Sequence, residues 1–262
     1  MDQFGTSGLR DIHLQRLEKL PVEIPHGRAE VWVGSLDGLA PSTDFLDEVE
    51  RQRAKAFRHE QDRRRFIAGR TYLRWLLGRY LNIQPSAVQI AANEWGKPRL
   101  ATTPERLFFN LSHSQDLVAF VFSGDFPVGI DVEVPRDGLA ADVDGLARQF
   151  LHPAERAFLD ALPEADRIDG FLRIWTRKEA LLKLVGSGLS VAPERFSILP
   201  GETDLEALRT DPRAASSCID MRDPTIISVD LRKDAVGAIA FGGPIRPTEV
   251  SIGVLPSTFP LG

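Results

Sequence analysis

Apolar and polar positions follow two rhythms along this chain, and the rhythm assigns the elements. From 62 to 81 the period is helical: at 100° per residue Phe66, Gly69, Leu73, Leu76 and Tyr80 share one stripe, and Arg63, Arg70 and Arg74 another. The stretch 167–185 repeats that spacing and stops at Gly186-Ser187-Gly188. Residues 143–162 are helical in pattern too, interrupted by Pro153. Pro41-Ser42-Thr43-Asp44 supplies a cap candidate before a shorter helical pattern at 45–57. Short apolar runs of strand length lie at 31–33, 88–91, 107–111, 117–122, 128–134, 196–199, 225–231 and 235–241. Turn signals separate several of them, notably Asn93-Glu94-Trp95-Gly96-Lys97-Pro98 and the stretch 123–127. The first thirty or so residues, punctuated by Pro21, Pro25 and Gly27, read as a loosely ordered lead-in.

Two strands echo each other. Asp116-Leu-Val-Ala-Phe-Val-Phe-Ser-Gly and Asp234-Ala-Val-Gly-Ala-Ile-Ala-Phe-Gly share an acid, an apolar run and a closing glycine. Either strand composition alone produces this likeness, or the chain is a duplicated α+β unit. Duplication predicts two lobes, 1–124 and 125–262, with a cleft between them.

Composition narrows the class. The chain has 262 residues, 43% hydrophobic and 26% charged, enough for one large domain or two of about 130 residues. A single cysteine, Cys218, excludes an intrachain disulfide framework and an all-cysteine metal site. No apolar run approaches the roughly 20 residues of a membrane span, and the amino terminus carries charges throughout. The expectation is a soluble, cytoplasmic protein with no membrane partner. A net charge of -5 argues against bulk nucleic-acid binding. That total hides a basic segment: ten Lys and Arg between Arg51 and Arg79, opposed only by Glu60 and Asp62.

The chemistry concentrates in two segments. In Gly129-Ile130-Asp131-Val132-Glu133 a strand puts Asp131 and Glu133 on one face and Ile130 and Val132 on the other. Taken alone, that pattern reads as a solvated strand edge. In Trp175-Thr-Arg-Lys-Glu-Ala-Leu-Leu-Lys, helical spacing puts Trp175, Glu179 and Lys183 on one face, which alone reads as a surface Glu–Lys pair. Together the segments supply three carboxylates with a lysine one turn beyond, a donor set suited to Mg²⁺ with substrate phosphate oxygens beside it. Cationic partners for a phosphate are Arg53, Arg63, Arg64, Arg65, Lys97 and the Ser112-His113-Ser114 loop. Each has a plainer alternative: a solvated helix end for the arginines, a polar turn for the loop. Walker, Gly-x-Ser-x-Gly and Gly-x-Gly-x-x-Gly motifs are absent, and His59, His113 and His152 have no metal-ligand spacing.

Five motifs in order carry a resemblance. Asn93-Glu-Trp-Gly-Lys-Pro, Phe109-Asn-Leu-Ser-His-Ser, Gly129-Ile-Asp-Val-Glu, Trp175-Thr-Arg-Lys-Glu-Ala-Leu-Leu-Lys and Gly186-Ser-Gly-Leu-Ser resemble the signature of the 4′-phosphopantetheinyl transferase superfamily. They are most similar to its longer, pseudo-dimeric branch, over roughly residues 50–190. The resemblance implies two α+β lobes related by a pseudo-two-fold with the site in their cleft. It implies transfer of the 4′-phosphopantetheine arm of coenzyme A to a serine of an acyl or peptidyl carrier protein. By the same resemblance Asp131, Glu133 and Glu179 hold Mg²⁺ or Mn²⁺, and Lys183 neutralises the diphosphate. Glu179 or Glu133 takes the serine proton. Ser112, His113 and Lys97 meet the phosphates of coenzyme A, and Arg65, helped by Arg53, the nucleotide 3′-phosphate. Some relatives carry a lysine where this chain has Glu50. Two other readings stand beside this one: a different Mg²⁺-dependent enzyme on a nucleotide diphosphate, and a silent coenzyme A or carrier-binding protein. A duplicated chain supplies both lobes itself, so a monomer is expected.

Overall fold

A computed structural model describes residues 13–17, 23–101, 107–186, 188, 191–199, 202–210, 224–242 and 249–258. The first half holds β1 (His13–Leu17), β2 (Arg28–Ser35), α1 (Glu48–Lys55), α2 (Glu60–Leu81), β3 (Ile90–Ala92), β4 (Pro98–Leu100), β5 (Phe108–Ser114) and β6 (Leu117–Ser123). The second holds β7 (Val128–Glu133), α3 (Leu139–Phe150), α4 (Pro153–Asp160), α5 (Arg167–Val185), β8 (Ser197–Leu199) and β9 (Glu202–Asp204). It ends with α6 (Glu206–Arg209), β10 (Thr225–Arg232), β11 (Ala235–Phe241) and β12 (Glu249–Val254). Among the described residues no helix is long and apolar enough to cross a membrane.

The strands make a mixed α+β arrangement around two sheets, ordered β1-β12-β2-β6-β5 and β10-β11-β7. Each half runs strand, helices, hairpin, and the second hairpin strand lies centrally, as β2-β6-β5 and as β7-β11-β10. The two echoing segments are β6 and β11, which hold the same central place. Both are buried along their whole length. Alternate β6 residues therefore serve different cores: Val118, Phe120 and Phe122 pack under α2 with Tyr72, Leu73 and Leu76. Leu117, Ala119 and Val121 join Ile130, Val132 and Ile239 in a core common to both sheets. The α5 helix packs Ala180, Leu181 and Leu184 over Ala238 and Ala240 in a third core.

Several expectations are corrected. Helix α1 starts later than the 41–44 cap candidate, because Asp47 caps it through a reciprocal box with Glu50. Ser112, His113 and Ser114 are not a loop; they are the last residues of β5, laddered to β6. Two arginines of the α2 stripe are tied to α1. Arg74 is 1% exposed and donates to Glu50, Asp47 and the Val88 carbonyl, while Arg70 also reaches Glu50. The lead-in contains β1 and the start of β2, both in the first sheet. Strand β12 returns from the end of the chain to lie between β1 and β2, parallel to both.

Candidate active site

Strand β7 presents Asp131 and Glu133 on the face covered by α5, while Ile130 and Val132 enter the common core. Helix and strand approach this closely because residue 129 is glycine. A Cβ there would overlap the Ala180 carbonyl oxygen and the Leu184 amide of α5. That seating brings the turn carrying Glu179 and Lys183 over the two acids. Lys183 Nζ donates to Asp131 Oδ1 at 2.6 Å and to Ser112 Oγ at 2.8 Å.

Ser112 belongs to the other half of the chain, and with Asn110 and Ser114 it joins β5 to β7. The β5–β7 seam has no backbone ladder. Instead Asn110 Oδ1 accepts from the Ile130 amide at 3.0 Å, Ser112 Oγ from Val132 at 3.3 Å and Ser114 Oγ from Val134 at 3.1 Å. The Ile130 and Val132 amides of β7, and that of Val134 just beyond it, thereby find partners that a ladder would otherwise supply. The serine hydroxyls then donate onward, Ser112 to Asp131 Oδ1 at 2.9 Å and Ser114 to Glu133 Oε2 at 2.7 Å. The period-2 polar pattern of Asn110-x-Ser112-x-Ser114 is thus both the join between the sheets and the support of two acids.

The electrostatics are those of crowded, partly dehydrated carboxylates. Burial, then the Asp131 charge, pushes the Glu179 carboxyl up to about 7, against the pull of Lys183. Glu133 is raised as well, first by burial, with its Ser114 hydrogen bond opposing. Asp131 Oδ2 and Glu179 Oε1 are buried with no hydrogen-bond partner. Among the described residues no three His, Cys, Asp or Glu side chains already stand in a metal-holding group; the Lys183 ammonium sits against Asp131 instead. The two unpartnered oxygens and the all-carboxylate donor set nevertheless fit a hard divalent cation.

The phosphate candidates separate into two groups. A cleft of about 560 Å³ beside β5 is lined by Arg53, Arg65, Arg70, His113, Phe66 and Leu36, among others. The Arg53 guanidinium stacks 5.4 Å from the Phe66 ring centre. Arg65 makes a two-pronged pair with Asp37. His113 is exposed in the same cleft, and partial burial of its ring, then the Lys183 and Arg65 charges, holds the imidazole below its ordinary pKa. Arg63 lies outside this group, paired with Glu60 at 2.7 Å.

Lys97 is elsewhere. Its ammonium donates to the Leu184 carbonyl at 2.9 Å, and burial lowers its pKa to about 8. Asn93 Nδ2 donates to the Gly186 carbonyl at 2.8 Å, and its Oδ1 folds the turn by accepting from the Trp95 and Lys97 amides. Gly186 closes α5 at φ +78°. The Asn93–Lys97 turn is therefore a cap from the first half of the chain on a helix of the second, with a cation where the helix dipole favours one. In this structure the Lys97 ammonium turns to the helix end, and a phosphate contact there remains an expectation of the resemblance.

Sequence spacing gave no sign of the buried charge pairs. Glu50 anchors Arg70 and Arg74, and Lys178 is wholly buried against Glu155 at 2.6 Å. His152 caps α4 in a box with Glu155. Asp37 carries no spacing signature; only its pairing with Arg65 of α2 reveals it. Cys218 and residues 187, 189 and 190 of the glycine-rich motif lie outside the described residues.

Comparisons with known proteins agree with one another. A family model described as the 4′-phosphopantetheinyl transferase superfamily matches residues 127–252, and one described as 4′-phosphopantetheinyl transferase, N-terminal, matches 30–124. The chain is 35% identical over 204 residues to 4′-phosphopantetheinyl transferase HetI of Nostoc sp., covering 77% of this chain and 79% of that one. It is 29% identical over 154 residues to 4′-phosphopantetheinyl transferase Sfp of Bacillus subtilis, covering 59% and 66%. It is 42% identical over 117 residues to 4′-phosphopantetheinyl transferase AcpT of Escherichia coli, covering 43% and 57%.

Proposed function

The chain belongs to the 4′-phosphopantetheinyl transferase superfamily, and on that premise we propose that it transfers 4′-phosphopantetheine from coenzyme A to a serine of an acyl or peptidyl carrier protein. Adenosine 3′,5′-bisphosphate is the leaving product. The observation that carries the reading is the meeting of Lys183, Asp131 and Ser112 at the β5–β7 seam, beside an arginine-lined cleft.

Asp131, Glu133 and Glu179 would hold Mg²⁺, which when bound screens the diphosphate and stabilises charge on its oxygens. The remaining work belongs to side chains. Lys183 neutralises phosphoryl charge as it develops, and its tie to Ser112 keeps its ammonium at the floor of the site. A serine hydroxyl attacks well only if its proton is taken during attack. Glu179 is the better acceptor, because Oε1 has no hydrogen-bond partner whereas Glu133 is held by Ser114. Arg53, Arg65 and His113 line the cleft and would meet the nucleotide phosphates.

The matching strand orders β2-β6-β5 and β7-β11-β10 support two lobes, 1–124 and 125–262, related by a pseudo-two-fold with the site between them. The carboxylates come from the second lobe and the arginines from the first. A single chain then supplies the whole site, so the working form is a monomer, in the cytoplasm where coenzyme A and carrier proteins meet.

The test is incubation with coenzyme A, Mg²⁺ and apo carrier domains of several classes, read by mass spectrometry. A carrier mass increase of one phosphopantetheinyl group supports the proposal. Coenzyme A binding with no transfer to any carrier leaves a silent binding protein, and hydrolysis of a nucleotide diphosphate leaves a different Mg²⁺ enzyme.

A further inference from the structure

We propose that Asp37, outside the carboxylate centre, is a positioning residue that aims Arg65 at a phosphate monoester in the cleft. The inference deepens the function proposed above and rests on its assignment of Arg65 to the nucleotide 3′-phosphate.

Arg65 donates from Nε to Asp37 Oδ1 at 2.7 Å and from Nη2 to Oδ2 at 2.6 Å. This two-pronged geometry fixes the guanidinium plane as a single contact cannot. It consumes one edge of the fork and leaves the Nη1 edge for a ligand. Arg65 lines the cleft and Asp37 does not, so the carboxylate stands behind the arginine and not in the ligand's place. The Arg65 side chain is 21% exposed, enough for a flexible arginine to swing outward were it not held.

Asp37 is itself anchored. It sits in the turn after β2, where the Leu36 amide donates to the Asp116 carbonyl at 2.6 Å and the Gly38 amide to the Ser35 carbonyl at 2.9 Å. Ser35 Oγ donates to Asp116 Oδ2 at 2.7 Å. Arg232, at the end of β10 in the other sheet, donates to both Asp116 oxygens at 2.9 and 3.0 Å and also pairs with Asp234. The brace behind Arg65 thus runs from the turn after β2 through the β5–β6 turn to the β10–β11 hairpin. Arg65 hydrogen bonds hold the Asp37 carboxyl below its ordinary pKa, so the brace stays charged at neutral pH.

Removing Asp37 has two opposing effects on a bound phosphate. It deletes a negative charge, but that carboxylate side chain is 47% exposed, and solvent and salt screen its repulsion. It also releases a long side chain whose ordering must then be met on binding. The second effect is the larger where a rigid fork is what recognises the anion.

The experiment is calorimetric titration of the full chain with adenosine 3′,5′-bisphosphate and, separately, adenosine 5′-monophosphate. Asp37→Ala is expected to weaken the bisphosphate about tenfold and leave the monophosphate unchanged, and Asp37→Glu to restore most of the loss. Unchanged monophosphate binding also shows that the variant is folded. An equal loss for both nucleotides, no loss, or tighter bisphosphate binding in Asp37→Ala overturns the proposal. So does a wild-type chain that does not distinguish the two. If transfer to every carrier fails yet this discrimination and its loss are seen, the function is wrong and the positioning role stands.

Discussion

Glu30 sits on β2 with 3% of its surface exposed, accepting from the Tyr80 hydroxyl at 2.5 Å. Burial raises its pKa from 4.5 to about 7, against the lowering effect of that bond. The folded chain therefore keeps a proton that the unfolded chain releases near 4.5. This contribution to stability is complete below about pH 4.5 and is lost as pH rises towards 7. Glu30→Gln keeps a neutral hydrogen-bonding group and should lack that slope. Urea unfolding of both chains at pH 5 and pH 8 should differ between them by on the order of 3 kcal/mol more at one pH than at the other. Parallel pH profiles would contradict the assignment. Lys183 makes a second residue-level case. Its ammonium already lies on Asp131, and its proposed role is to meet charge developing in reaction. Lys183→Met should lower kcat by about 10²-fold while KM for coenzyme A moves little. Steady-state kinetics showing a change in KM alone would reject that role.

The placement of an element can hang on one missing atom group. At Gly129, an alanine would force α5 off β7, and the helix carries both Glu179 and Lys183. Gly129→Ala should cost about 3 kcal/mol in thermal or urea unfolding and remove most activity through one displacement. A stable variant with full activity would show that α5 is not seated as described. The 167–185 helix and the 128–133 strand were legible in sequence because each has a clean period and a glycine at its boundary. The same-face pairs Asp131/Glu133 and Glu179/Lys183 followed from those periods. What stayed hidden depends on partners distant in sequence. Ser112–Ser114 looked like a loop because polar residues after an apolar run read as a turn; Ser112 and Ser114 find partners in the Val132 and Val134 amides, distant in sequence. The bond from Lys97 to the end of α5 was hidden because nothing local shows that the helix lies over it. The burial of Arg74 could not be read from its own helix, because the acids that hold it, Asp47 and Glu50, lie at the start of another.

At the scale of the molecule, β12 limits how far the two halves are independent. It inserts between β1 and β2, with Val250 in the core common to both sheets and Leu255, just beyond it, in the core under α2. The following residues strap the first half: the Leu255 amide donates to the Val33 carbonyl at 2.8 Å, Tyr72 to the Pro256 carbonyl at 2.8 Å, and Ala40 to the Ser257 carbonyl at 3.2 Å. Strand β12 was missed in sequence because Glu249-Val-Ser-Ile-Gly-Val is short, half polar and far from the strands it joins. A chain ending at Gly242 would uncover the β2 edge and leave two core sites unfilled. Each filled side chain is worth about 1.5–3 kcal/mol, before the ladder bonds are counted. Against a typical total of about 5–15 kcal/mol, that loss is enough to unfold the first lobe. The first lobe of the truncated chain should therefore lose its cooperative transition, and isolated 1–124 should melt without one, although the repeat of strand order makes it look like a unit. Fusing 249–258 to 1–124 through a flexible linker should restore a sharp melt, since β12 pairs with β1 and β2 and needs nothing from β7 or β11 for its ladder. A cooperative transition in 1–124 without that strand would mean that the returning strand is an ornament on a lobe already complete.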